Sequence, residues 1–227
     1  MRKYLLVFLL VLSAGIATLA RQNLATEAKQ APERVTLPPA AREGGMPLNE
    51  ALAKRQSVRA YTGQALTQQE LGQLLWAAQG VNRPNGHRTA PSAVAIYPLE
   101  LYAVTPSGFF HYLPAEHQVE KLSADDFRQS LSKATGQPSI PQAGAVFVFT
   151  AVWQRMDKRL GEAQHARSVN WVFAEAGHAA QNVLLEATAL NLACVPMGGL
   201  DPNKVQQTLP IPQDHTPIYM VAVGHPK

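Results

Sequence analysis

Ala145-Val-Phe-Val-Phe-Thr-Ala-Val152 is a continuous apolar run. With no polar alternation along it, the run predicts a strand buried on both faces at the centre of a sheet. Upstream of it, residues 99–105 and 109–113 flank the turn Pro106-Ser107-Gly108 and predict a hairpin. Residues 119–122 suit a third strand and 125–133 a surface helix. Downstream, Val172, Ala176, Ala179, Val183 and Leu184 recur at helical spacing and predict a long helix over about 169–190. A loop at Cys194-Val-Pro-Met-Gly-Gly199 follows, then a short helix capped by Asp201 and a last strand over 218–223. Nearer the start, 48–55 suits a short helix. Thr67-Gln-Gln-Glu70 is a capping box opening a helix whose apolar stripe is Leu71, Leu74, Leu75 and Ala78, and which Gly80 ends. The order of helices, hairpin, helix, strand, helix, strand reads as an α+β layered domain.

The 227-residue chain is not all domain. Met1-Arg2-Lys3 is followed by an apolar run over 4–12 and small residues through Ala20, the layout of an export signal. Thr18 and Ala20 suit a cut before Arg21; left uncut, residues 1–20 would be an N-terminal membrane anchor. Ile16 stands where a lipoprotein would need Cys, and no twin arginine precedes the apolar run. These features predict an exported chain, periplasmic or secreted, that crosses unfolded and takes up any cofactor outside the cytoplasm. Residues 21–47, polar and rich in Pro and Gly, read as a linker, leaving 48–227 as a single domain.

The formal net charge is +4 and the pI about 9.3. Arg2, Lys3, Arg21, Lys29, Arg34, Arg42 and Lys54 lie ahead of the expected core, so the charge does not outline a nucleic-acid stripe. Cys194 is the only cysteine, which excludes an intramolecular disulfide and a four-Cys zinc site.

Three segments carry candidate chemistry. In Arg55-Gln-Ser-Val-Arg59, two guanidiniums and a hydroxyl alternate, so an extended chain points them the same way. Such a cluster suits a phosphate monoester; taken alone, the segment reads first as a solvated turn with ordinary surface arginines. Thr89-Ala-Pro-Ser-Ala-Val-Ala-Ile-Tyr-Pro98 is uncharged and mostly small, either a backbone edge for a flat polar ligand or a buried connector. Cys194-Val-Pro-Met-Gly-Gly199 offers successive backbone N–H groups for an anion or a ring nitrogen, or simply a helix-stop turn.

In order and spacing these segments resemble the nitroreductase superfamily, most closely its SagB/ThcOx-type dehydrogenase branch. The resemblance runs from about residue 48 to 226. It rests on Arg55-Gln-Ser-Val-Arg-Ala-Tyr61, Leu74-Leu-Trp-Ala-Ala-Gln-Gly80, Ala90-Pro-Ser-Ala93, Tyr97-Pro-Leu-Glu-Leu-Tyr102, Glu175-Ala-Gly-His-Ala-Ala-Gln-Asn182 and Val195-Pro-Met-Gly-Gly199. It implies a nitroreductase-like fold, with a central, mostly antiparallel sheet flanked by helices, forming a homodimer with FMN at its interface. Carried across by position, Arg55 and Arg59, with Gln56 and Ser57 beside them, hold the phosphate and ribityl chain. Pro91, Ser92 and Ala93 close over the flavin from the other subunit. Pro196 faces the ring, the Gly198 N–H reaches N5, and Met197 and Gly199 complete that loop. Lys227 is the base left to meet the phosphate.

The implied activity is FMN-dependent oxidoreduction of a small organic substrate, of dehydrogenase, oxidase or nitroreductase type; because NAD(P)H is cytoplasmic, export weights the first two. The alternative is an exported flavin- or heterocycle-binding protein without turnover. Val94 stands where this branch usually has Gly, and the nearest match to the Lys-Tyr pair of its azoline oxidases is Lys158-Arg159, with no Tyr. Glu175 and His178 share a helix face, and Glu162 and His165 repeat the spacing. A di-iron site needs such pairs on facing helices with two further carboxylates, so no metal is expected, and no catalytic acid or base is marked. Cys194 reads as a small buried residue, with a redox role as the alternative.

Overall fold

The computed structural model describes residues 33–227. The expected export segment, 1–20, lies outside the described residues, as does the first part of the expected linker. Among the described residues no helix is long and apolar enough to cross a membrane.

Seven strands form one sheet: β1 (Arg34–Thr36), β2 (Leu99–Thr105), β3 (Gly108–Leu113), β4 (Gln118–Ser123), β5 (Ala145–Ala151), β6 (Ala193–Met197) and β7 (Thr216–Gly224). Their order is β1-β4-β3-β2-β5-β7-β6. Every neighbouring pair is antiparallel. The helices are α1 (Leu48–Lys54), α2 (Gln68–Gln79), α3 (Arg128–Thr135), α4 (Trp153–Leu160), α5 (His165–Ala189) and α6 (Pro202–Thr208).

The apolar run that opened the sequence is β5, buried along its whole length. Strand periodicity divides it between two cores. Ala145, Phe147 and Phe149 face Leu74 and Leu75 of α2 and Val183 and Leu184 of α5. Val146 and Val148 face Leu131 of α3 and Val205 of α6. An all-apolar sequence is what a strand covered by helices on both sides requires. The α2 capping box forms as expected: Thr67 Oγ1 accepts the Glu70 N–H at 3.2 Å, and the Glu70 carboxylate accepts the Thr67 N–H at 2.7 Å.

Several elements differ from expectation. The expected linker, 21–47, enters the fold by Arg34, because β1 pairs with β4 and Leu37 is buried. Gln73 then holds Ala41 through both backbone groups, at 2.8 and 3.1 Å. The domain therefore begins about a strand before residue 48. Part of the expected 194–199 loop is the edge strand β6; Pro196 is tolerated there because an edge strand need not donate on its outer side. Helix α4 was not expected, and α5 begins at His165.

Candidate active site

After α1 the chain turns extended at Arg55 (φ −55°, ψ 122°) and runs between β6 and the C-terminal tail. Ser57 bridges to Cys194, and the Val58 N–H donates to the Cys194 carbonyl at 2.9 Å. Thr62 donates to His225 at 3.0 Å, and Lys227 to Ala60 at 3.2 Å. These bonds bring residues 55–62, the start of β6 and the chain's last residues together along one edge of the sheet. Arg55 is half-buried; Ser57, Arg59 and Lys227 are exposed. Among the described residues none of Arg55, Arg59 and Lys227 has an acidic partner. Uncompensated cations held on an ordered backbone suit an anionic ligand. Gln56 does not join them. With Lys54 and Val58 it lines a separate hollow bounded by Asn191 and Pro226, because alternation along the extended chain sends it the other way.

At the far end of β6, Pro196 is half-buried, Met197 buried, and Gly198 and Gly199 exposed. A Cβ on Gly198 would stand 3.0 Å from Cε2 of Tyr219, whereas one on Gly199 would meet nothing. Gly198 is therefore the position where close approach, here to the Tyr219 ring, disfavours a side chain. Cys194 is buried; burial pushes its thiol up to about 11 against the pull of Arg55, and its Sγ donates to the Leu184 carbonyl at 3.7 Å. A thiol so rarely ionised is a packing residue.

The third segment lies elsewhere on the protomer. Pro91, Ser92 and Ala93 border a hollow with Trp171, Glu175 and His178 of α5. Val94 (φ 44°), Ala95 (φ 54°) and Tyr97 (φ 51°) are all left-handed, and Val94 is 66 % exposed. This costly backbone is held from several sides. Ser92 Oγ accepts the Tyr97 N–H at 2.8 Å, and the Tyr97 hydroxyl accepts the Arg88 N–H at 3.1 Å. Arg155 of α4 donates to the Tyr97 carbonyl at 2.9 Å. The Arg88 guanidinium lies 4.6 Å from the Tyr97 ring centre and donates to Gln79 at 2.9 Å. Tyr97 thus serves this strap, while Trp171, 38 % exposed, lines the hollow.

Sequence reasoning did not single out Glu175 except as half of a metal pair. It is only 3 % exposed, and burial pushes its carboxyl up to about 7, partly offset by the Ser92 hydroxyl and Arg88. Its signal was a lone acid on the otherwise apolar stripe of α5. His165, from the second pair of that spacing, bonds Asp157 at 2.8 Å. Among the described residues no three His, Cys, Asp or Glu side chains gather as metal ligands.

Set against known proteins, residues 52–225 match the nitroreductase family. The chain belongs to the nitroreductase family. A nitroreductase-like protein of Methanocaldococcus jannaschii is 34 % identical over 184 residues, covering 78 % of this chain and 90 % of its own. The crystal structure of a nitroreductase-like protein from Ralstonia eutropha superposes with a TM-score of 0.77 at 32 % identity, covering 86 % of this chain and 90 % of that one. The NADPH:FMN oxidoreductase of Vibrio harveyi, solved with NAD+, shares the fold at a TM-score of 0.59 and 21 % identity, covering 79 % of this chain and 69 % of that one. The fold is thus that of the nitroreductases, as the sequence led us to expect, and the protein is an oxidoreductase by family.

Proposed function

We propose that this nitroreductase-family protein is an FMN-dependent oxidoreductase of SagB/ThcOx type, acting as a homodimer outside the cytoplasm on a small organic substrate. The observation that carries the flavin assignment is that the segment bearing Arg55 and Arg59, which have no acidic partner among the described residues, pairs through Ser57 and Val58 with the strand that leads into Gly198-Gly199. A phosphate end and a ring end are thereby built on one sheet edge. FMN, when bound, supplies two-electron hydride chemistry. The protein's part is to anchor the phosphate through Arg55, Arg59 and Ser57, with Lys227 nearby. It also offers the Gly198 N–H to the ring and leaves one face open for substrate.

The separation of the pieces supports the dimer. The Pro91–Ala93 hollow meets α5 at Glu175, whereas the hollow lined by Gln56, on the other face of the 55–59 segment, meets it at Thr188. Those positions are about 20 Å apart along the helix at 1.5 Å per residue. A second copy would bring its Pro91–Ala93 over the ring end of the first. Trp171 and Phe173 of α5 and Leu48 and Leu52 of α1 are exposed apolar residues of the kind such a contact covers. Export is supported by the charged, apolar, small order of residues 1–20, and weights dehydrogenase or oxidase turnover over nitro reduction.

The test is the visible absorption spectrum of the purified protein before and after FMN is added and the excess removed. Retention of about one flavin per subunit, as the paired half-sites require, supports the assignment; a folded protein that retains none refutes it. Retained flavin that no candidate donor reduces would favour binding without turnover.

A further inference from the structure

The hollow bordered by Pro91, Ser92, Ala93, Trp171, Glu175 and His178 encloses about 310 Å³. Glu175 lies almost wholly buried in its wall, and its Oε1 has no hydrogen-bond partner among the described residues. Ser92 lines the same hollow and acts on this carboxyl through its hydroxyl. Its Oγ accepts the Tyr97 N–H at 2.8 Å, which leaves the hydroxyl one proton to donate and one lone pair to fill. The neighbouring hydrogen-bonding group on the helix side is Glu175.

We propose that Glu175 is a positioning residue that sets the direction in which Ser92 donates its hydrogen bond. When the Glu175 carboxylate is ionised it accepts the Ser92 proton, and the hydroxyl points toward α5. When Glu175 takes a proton from solvent, its own O–H donates to the free lone pair on Ser92. The Ser92 proton then turns into the hollow and toward a ligand there. One buried proton thus decides whether Ser92 is a donor to the ligand. The proposal rests on the flavin assignment above, in which Ser92 closes over the partner's ring.

The surroundings place the exchange at ordinary pH. Burial raises the Glu175 carboxyl to about 7. The charged and titratable groups around it are Arg88, which acts on it, Tyr97, whose ring Arg88 covers, and His178, one turn along α5, which lines the same hollow. Arg88 is held by Gln79 and the Tyr97 ring. It therefore tempers the rise without forming a salt bridge to Glu175. Glu100 and Arg155 also act on Arg88.

The experiment follows the visible band of FMN bound to the full chain from about pH 5.5 to 8.5. The wild type is expected to show a band shift with a midpoint near pH 7. Glu175→Gln should stay at the low-pH form throughout, since its amide N–H donates to Ser92 as the protonated acid does. Ser92→Ala should show no step. A step that persists in Glu175→Gln, or bound FMN with a pH-independent spectrum in the wild type, overturns the proposal alone. Failure of the wild type to hold FMN overturns the flavin assignment and removes the ligand from this switch. Infrared difference spectra of the flavin-free wild type against Glu175→Gln read the acid directly. A protonated carboxyl band lost near pH 7 supports the proposal, and no such band at pH 6 overturns it.

Discussion

At Val94 a β-branched side chain sits at φ 44°, ψ 31°, in the left-handed region. That region costs an L-residue roughly 1–2 kcal/mol, and Val94 has little packing to offset it, being mostly exposed. Val94→Gly should therefore raise stability by about 0.5–1 kcal/mol, after allowing for the extra freedom of Gly in the unfolded chain. Thermal denaturation checks this, and an unchanged or lowered midpoint contradicts it. At Arg55 the expected loss is in binding. Arg55→Ala should weaken FMN affinity by about 1.5–3 kcal/mol, the range for a hydrogen bond to a charged group, in a fluorescence titration. Glu175 links stability to pH. Its carboxyl titrates near 4.5 in an unperturbed chain and about 7 in the fold, so the folded state binds the extra proton. Its contribution is intact below about pH 4.5, falls as pH rises, and is lost above about 7. Glu175→Gln should then gain on the wild type by on the order of 2–3 kcal/mol between pH 5 and pH 8, as urea midpoints at the two pH values would show.

At the scale of elements, the strands legible in the sequence were those whose boundaries and burial agree. The β2–β3 hairpin announces itself by Pro106-Ser107-Gly108, and β5 by its unbroken apolar run. β1 was missed because three residues beside prolines cannot display a period. β6 was read as a loop because Pro196, Gly198 and Gly199 are breakers everywhere except on an edge and just beyond it. Helix α4 is mostly polar, and it is tied down by Arg155, which pairs with Glu100 and bonds Tyr97 in β2's approach. Such a contact has no local signature. The site was half legible for the same reason. The alternation of Arg55, Ser57 and Arg59 can be read in one segment, but the burial of Glu175 beneath Ser92 depends on which helix face meets a distant loop. Gly80 was read correctly as the end of α2, though it is not left-handed (φ −64°). A Cβ there would fall 2.1 Å from Cδ1 of Trp76. Gly80→Ala should displace the indole and cost about 1–3 kcal/mol, visible in denaturant unfolding with a changed Trp emission.

For the whole molecule, the proposed shared site would make assembly and cofactor retention a single question. Trp171→Asp places a charge on the exposed apolar face of α5 without entering a core. In sedimentation it should yield monomers, and those monomers should lose FMN; monomers that keep it would contradict a shared site. The sheet order carries a consequence for biosynthesis. β7, the last strand made, is inserted between β5 and β6. Until its residues have been synthesised, one edge of the apolar strand β5 stands bare and β6 has no strand to join it to the sheet. The tail that follows must also arrive before residues 60–62 can be tied down. A nascent chain that has not yet reached β7 therefore cannot complete this fold, and β5 keeps an open apolar edge until then. Loss of β7 would leave an unpaired apolar edge on β5 that recruits other chains, so termination before residue 216 should give aggregates.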